Sequence, residues 1–362
     1  MTISGEQTRL QIVRSILNEQ SLPVQAIAAS VDLVVNANDA DDCAVYNLPG
    51  NLSLVVGMDF IRGTKFTLFR EKYLNYFDIG YYLVVANLSD VAAMGATPIG
   101  LTTVVRYPDT LEDADFAEII RGVKEAASHY NTPIVGGDIG GYVEVVLAAT
   151  AFGIAEGGRY LKRRGTIEAD VLCVTGYLGL PSTALVYFTR AKKEGFVLSD
   201  EEERELLQSW KRPVAHIAEG RALAELGIVH ACQDVSDGGK ATIEQLAKTS
   251  NVSFEIYEDY LPIHPITIKV ANFLGVDSVS IALSSSVDFQ LMFSVPPQGI
   301  EQVKEIFQHI PDSKLSILGH ATPASETTCI IRSNGNISPI PGTAWNHQRG
   351  DITSVILGRS WQ

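Results

Sequence analysis

Apolar and polar positions follow two rhythms along this chain. From residue 78 to 96, Ile79, Leu83, Ala86, Leu88, Val91 and Met94 recur with a period near 3.6, which predicts a helix. Asp78 is its expected N-cap and Gly95 its expected C-cap. The same rhythm predicts helices over 8–19, 111–130, 181–193, 201–209, 213–226, 239–248 and 300–310. Pro213 is the expected first residue of the helix over 213–226. Short apolar or alternating runs predict strands over 52–61, 99–107, 170–176, 230–234, 252–257, 288–295, 315–319 and 328–332. A short strand from 133 is expected to stop at Gly136-Gly137-Asp138. A long one over 142–154 carries Glu144 as its single inward charge. It is too apolar for an exposed edge, which points to a homodimer formed there.

Strands and helices alternate in both halves, so the fold class is α+β. Glu156-Gly157-Gly158 and the basic Lys162-Arg163-Arg164-Gly165 mark a composition shift. The expected domains are therefore 1–157 and 158–362, a pair of ordinary size for 362 residues.

Composition narrows the function classes. Apolar residues make up 46% of the chain, enough for a sizeable core. Acidic residues outnumber basic ones 42 to 28, and no basic block occurs, which argues against nucleic acid as the main partner. No apolar run reaches membrane-spanning length and no secretory leader is evident, so no membrane partner and cytoplasmic residence are expected. Cys43, Cys173, Cys232 and Cys329 form no CxxC pair, and the histidines show no metal-ligand spacing.

The candidate chemistry lies in carboxylates at the ends of elements: Asp41-Asp42, Asp59, Asp90, Asp138, and Asp234 with Asp237. Each also has an ordinary reading as a turn, loop or cap residue. Asp90 is unusual because it falls late in a helix, where the backbone dipole is already negative; a bound cation reverses that penalty. Hard oxygen ligands suit magnesium, which commonly reaches a protein through a few carboxylates plus substrate phosphates. The Walker pattern and the protein-kinase signatures are absent, so ATP chemistry here needs another route.

The order of motifs resembles that of thiamine-monophosphate kinases, in the aminoimidazole ribonucleotide synthetase superfamily, over residues 5–350. Asp41-Asp-Cys-Ala-Val-Tyr46 is similar to the family's acidic loop, and Asn87-Leu-Ser-Asp-Val-Ala-Ala-Met-Gly95 to its signature helix. Val135-Gly-Gly-Asp138, Arg212-Pro213 and Asp234-Val-Ser-Asp-Gly238 match further motifs. The resemblance implies a two-domain α+β aminoimidazole ribonucleotide synthetase-like fold. The N-terminal domain would dimerise through its sheet, and the C-terminal domain would complete the nucleotide and acceptor site. It implies magnesium ligands at Asp42, Asp59, Asp90, Asp138, Asp234 and Asp237, with Asp42, Asp90 and Asp237 central to catalysis. It implies ATP as co-substrate, contacted by Gly137, Asp138, Arg163 and Ser236, and a small-molecule acceptor near Trp345.

Departures cluster on the acceptor side. Lys65 stands where the family has an acceptor-binding His, and Val287 where it has a Glu, in Ser285-Ser-Val-Asp-Phe-Gln290. The leading expectation is an ATP- and magnesium-dependent phosphotransferase acting on thiamine monophosphate or a related phosphorylated metabolite. The added positive and lost negative charge argue for a more anionic acceptor, with weak or no turnover of thiamine monophosphate. Another ATP-using reaction of the superfamily, or a nucleotide-binding regulator without catalysis, are the alternatives.

Overall fold

The computed structural model describes Ser15 and residues 31–343. Apart from Ser15, which is helical, the expected helix over 8–19 lies outside the described residues, as does Trp345. Two sheets organise the rest. The first comprises β1 (Asp32–Val35), β2 (Ala44–Leu48), β3 (Leu52–Ile61), β4 (Thr97–Tyr107), β5 (Ile134–Gly141) and β6 (Val146–Glu156), in the order β1-β2-β3-β6-β4-β5. Only the β4–β5 pair is parallel. The second comprises β7 (Val171–Val174), β8 (Ala231–Asp234), β9 (Val252–Tyr257), β10 (Leu291–Val295), β11 (Ser316–Pro323), β12 (Cys329–Ile331) and β13 (Ile337–Pro339), in the order β13-β12-β9-β11-β7-β10-β8.

Between the sheets runs the central helix, Tyr76–Ala93. Its N-cap is Asn75, not Asp78. Asn75 Oδ1 accepts the Asp78 N–H at 3.0 Å, and Asp78 Oδ2 accepts the Asn75 N–H at 3.0 Å. Asp78 thus sits one turn inside, where it completes a capping box. At the other end Met94 is the cap, and Gly95 follows it in the left-handed conformation with φ +67°.

The sequence reads as an amphipathic helix, but almost its whole circumference is buried. One side packs on the inner face of the first sheet. Another crosses the helix Asp113–His129 with glycines at the contact. A Cβ on Gly122 would lie 2.0 Å from the Phe77 carbonyl oxygen, and one on Gly80 would lie 2.1 Å from that of Ile119. Backbone therefore meets backbone, and neither position has room for a methyl group.

Several expectations change. β5 does not stop at Gly136-Gly137-Asp138 but continues through them to Gly141, as an exposed edge strand paired with β4. The long apolar run begins later than expected, and β6 is an interior strand between β3 and β4. Its apolarity follows from neighbours on both sides and does not mark an edge. Glu144 precedes β6 and points outward, pairing with Arg62 at 2.7 Å and Lys65 at 3.0 Å. Pro213 precedes the helix it was expected to start; that helix is Ile217–Leu226, with His216 at its N-cap. The expected 181–193 helix is Leu180–Val186, followed by a wider turn over Tyr187–Ala191. The short strands β1, β2 and β13, and the helices Pro265–Leu274 and Ser278–Leu283, were not anticipated.

The glycine crossing generates a stability prediction. Gly122→Ala should destabilise the protein by on the order of 3 kcal/mol, because rigid backbone must separate. The measurement is the urea midpoint; a loss within about 0.5 kcal/mol of wild type, ordinary for a surface change, contradicts the crossing.

Candidate active site

Three carboxylates distant in sequence converge where the two sheets approach. Asp42 lies in the loop before β2, Asp90 in the last turn of the central helix, and Asp234 at the end of β8. One oxygen from each lies within 4.8 Å of the others. Hydroxyls fix the orientation of Asp234: Ser89 Oγ donates to its Oδ2 at 2.6 Å, and Ser236 Oγ to its Oδ1 at 3.1 Å. Arg163 closes the other side. Its N–H donates to both oxygens of Asp41 at 3.1 Å, and its guanidinium reaches the Ala40 carbonyl at 2.8 Å and the Asp42 carboxylate. Asp42 Oδ2 remains buried with no protein partner.

At 4.8 Å two unit charges repel by about 3–4 kcal/mol at an effective dielectric near 20. Burial adds to that repulsion. It pushes the Asp90 carboxyl well above the usual range, with Asp234, Asp42 and Asp59 raising it further. Burial and Asp42 push Asp234 to about 7, and burial and Asp42 push Asp41 to about 6. Burial also raises Asp42, against which the Arg163 charge works. One guanidinium does not balance this group. The donor set is all hard oxygen and includes a buried orphan atom, which fits a divalent cation such as magnesium.

Asp59 and Asp237 stand exposed at the rim. The Asp59 N–H donates to Asn87 Oδ1 at 2.9 Å, while Asn87 Nδ2 donates to the Leu83 carbonyl at 2.9 Å. Gly137 and Asp138 do not join the cluster of their own chain. Gly137 stands in the same cross-strand row as Asp59, through Ala149 and Thr103. Three strand spacings separate the two, roughly 14 Å. Asp138 instead pairs with Arg106 at 2.5 Å. Lys65 is not a free cation, since it pairs with Glu144, and Val287 packs against the core formed by the first sheet and the central helix. The structure thus gathers Asp42, Asp90, Asp234, Arg163 and Ser236, with Asp59 and Asp237 nearby, and separates Gly137 and Asp138 from them, while Lys65 is paired with Glu144.

Two contributors were missed in the sequence: Asn87, which accepts the Asp59 N–H, and Ser89, which donates to Asp234. Both are polar positions on a helix buried all round, a signal that becomes visible only once that burial is known. Asp288 is buried at the turn before the helix Leu180–Val186, where Oδ1 accepts the Gly179 N–H at 2.9 Å. Burial pushes its carboxyl to about 7.

Comparison with known proteins places this architecture. Residues 40–155 match the AIR synthase related protein N-terminal domain, and residues 170–332 match its C-terminal domain. The fold is shared with the solved structure of AaThiL complexed with AMPPCP and TMP, at a TM-score of 0.74 and 22% identity, covering 96% of this chain and 99% of that one. The architecture and carboxylate cluster therefore define a two-domain protein of the AIR synthase type. Among curated proteins, the thiamine-monophosphate kinase of Methanopyrus kandleri is 31% identical over 268 residues, covering 74% of this chain and 80% of the relative. That of Pyrococcus abyssi is 29% identical over 275 residues, covering 76% and 80%. The chain belongs to the thiamine-monophosphate kinase family, and it is an enzyme of the phosphotransferase type.

Asp288 yields a pH prediction. Its folded pKa of about 7 is above the unfolded value of 3.8, so the folded state holds the extra proton between those values. The stability it contributes is complete below about pH 4 and is lost as pH rises through about 7. Asp288→Asn cannot ionise and still accepts the Gly179 N–H. In magnesium-free buffer its thermal midpoint should gain several degrees on wild type between pH 5 and pH 8. Parallel pH profiles for the two proteins contradict the assignment.

Proposed function

We propose that this chain transfers the γ-phosphate of ATP to thiamine monophosphate, with magnesium ions held by Asp42, Asp90 and Asp234. The observation that carries this reading is the convergence of those three carboxylates at the junction of the two sheets. Asp59 and Asp237 at the rim extend the ligand set, and Arg163 and Ser236 are the polar groups beside it that face nucleotide phosphates. When bound, the metal ions neutralise phosphate charge and polarise the transferred group. The chain's own residues do the rest. The hydroxyls of Ser89 and Ser236 hold Asp234 in one orientation. Arg163 ties the loop carrying Asp41 and Asp42 to the second domain. A phosphate acceptor is already anionic, so no general base is needed, and positioning with charge compensation accounts for the chemistry.

Thiamine monophosphate is taken as the acceptor because the curated relatives at 29% and 31% identity are thiamine-monophosphate kinases. Glu144 lies 3.0 Å from Lys65 and 2.7 Å from Arg62, so one carboxylate is shared by two cations and one positive charge remains there.

The reading includes a homodimer built on the far face of the first sheet. Met58 is 73% exposed and Phe60 55% exposed there, with Val104 in the same cross-strand row as Phe60. A contiguous apolar face on a mixed sheet is suited to a second copy. Asp138 and Gly137 lie on that sheet's edge strand, so their implied nucleotide role belongs with such an assembly.

Two measurements test the proposal. Wild type with magnesium, ATP and thiamine monophosphate should yield thiamine diphosphate, and Asp90→Asn should lower kcat/KM by on the order of 100-fold or more while keeping its fold. Absence of product in wild type removes thiamine monophosphate as the acceptor. Light scattering at micromolar concentration should give twice the chain mass, and Phe60→Asp should shift it toward a monomer. A wild-type monomer removes the dimer.

A further inference from the structure

Asn87 lies three residues before Asp90 on the central helix, so the two share a helix face. It is fully buried although its side chain is polar. Both ends of its amide are used. Nδ2 donates to the Leu83 carbonyl at 2.9 Å, and Oδ1 accepts the Asp59 N–H at 2.9 Å. The first bond fixes the amide on its own helix. The second crosses from the helix to β3.

That second bond fills a gap in the sheet. β2 pairs with β3 only from Leu52 to Val56. From Gly57 to Ile61, β3 keeps its pairing with β6 on one side and has lost β2 on the other. Asn87 supplies there the acceptor that a neighbouring strand would have supplied.

The alternation along β3 shows what the bond holds in place. Ser53, Val55, Gly57 and Ile61 lie on one face and are buried. Asp59 belongs to the same row by period, yet it is exposed, so the inner face of the sheet opens at this residue. Gly57 marks where β3 meets the acidic site: a Cβ there would lie 3.6 Å from the Asp90 Cβ. Asp59 is two residues further along, roughly 7 Å. Its carboxylate therefore stands at the mouth of the site, outside the three that converge. Pairing with β6 fixes one edge of the strand at this point. The Asn87 amide fixes the other, and it ties the Asp59 backbone to a helix position three residues from Asp90.

We infer that Asn87 is a positioning residue: it holds the Asp59 backbone against the central helix and so sets the affinity of the acidic site for magnesium. This rests on the metal-dependent reading of the preceding subsection. Groups that orient a metal ligand typically change metal affinity by about 10- to 100-fold when removed.

The test is a calorimetric titration of magnesium into the full chain. The proteins are wild type, Asn87→Ala, Asn87→Thr, Asp59→Asn and the double variant of Asn87→Ala with Asp59→Asn. Asn87→Ala should raise the magnesium Kd roughly tenfold. A threonine hydroxyl can still donate to the Leu83 carbonyl but is too short to reach the Asp59 N–H. Asn87→Thr should therefore show the same rise, and it carries the test if the alanine variant does not fold. Because Asn87 acts through Asp59, its removal should add less than about twofold in the Asp59→Asn background. An unchanged Kd in the Asn87 variants overturns the inference. A second tenfold loss on top of Asp59→Asn also overturns it, since that result marks general damage to the helix. No magnesium uptake by wild type overturns it as well, and leaves the phosphotransfer reading to its own turnover assay.

Discussion

The mutual repulsion of Asp42, Asp90 and Asp234 is the constraint around which the rest of the molecule is arranged. Their oxygens lie within 4.8 Å of one another in a site that excludes most water. Left ionised and alone, they would push the two sheets apart. The protein answers in three ways. It raises their proton affinities by burial, supplies directed hydroxyls from Ser89 and Ser236, and places Arg163 against Asp42. Each response is partial. What remains is a cluster of hard oxygens with an unfilled demand for positive charge, which is the property a phosphoryl-transfer site needs.

Holding such a cluster together requires a rigid support, and the central helix provides it. A helix with one solvent face can shift or fray at modest cost. This one is packed against the first sheet, against the helix Asp113–His129 at two glycines, and against the second domain. Its capping box at Asn75 fixes the start. Asp90 is consequently located by the packing of the whole helix and not by a local loop. The unfavourable position of a carboxylate near a helix C-terminus is tolerated because that packing leaves it no alternative.

Much of the fold was legible in the sequence. The 52–61 strand was placed at its observed bounds, and the helices over 111–130, 201–209 and 300–310 were found within a few residues. Periodicity reports such elements directly, because each depends on which face of a local segment is buried. Errors arose where a neighbour decides. β5 runs through Gly136-Gly137-Asp138 because β4 beside it supplies the hydrogen bonds, although the glycines read locally as a stop. Glu144 was expected to point inward, but the strand begins two residues after it. Asp78 gave way to Asn75 as the cap because either residue type can serve, and only the path of the chain into the helix selects between them.

The same division holds for the site. The sequence by itself determined that carboxylates stand at the ends of elements, that a helix carries one late in its length, and that the order of motifs is that of a known kinase family. The tertiary structure decided which of them meet. Asp42, Asp90 and Asp234 come from a loop, a helix and a strand separated by 48 and 144 residues along the chain, and the pairing of strands and the crossing of helices bring them together. Asp138, equally conspicuous in the sequence, lies on β5, three strand spacings from the strand β3 that carries Asp59, and Lys65 is shared with Arg62 by Glu144. Strand order and register are global choices, made by burying whole faces against one another. No local pattern of residues records where a distant segment will lie, and this is why the chemistry was readable before the geometry that uses it.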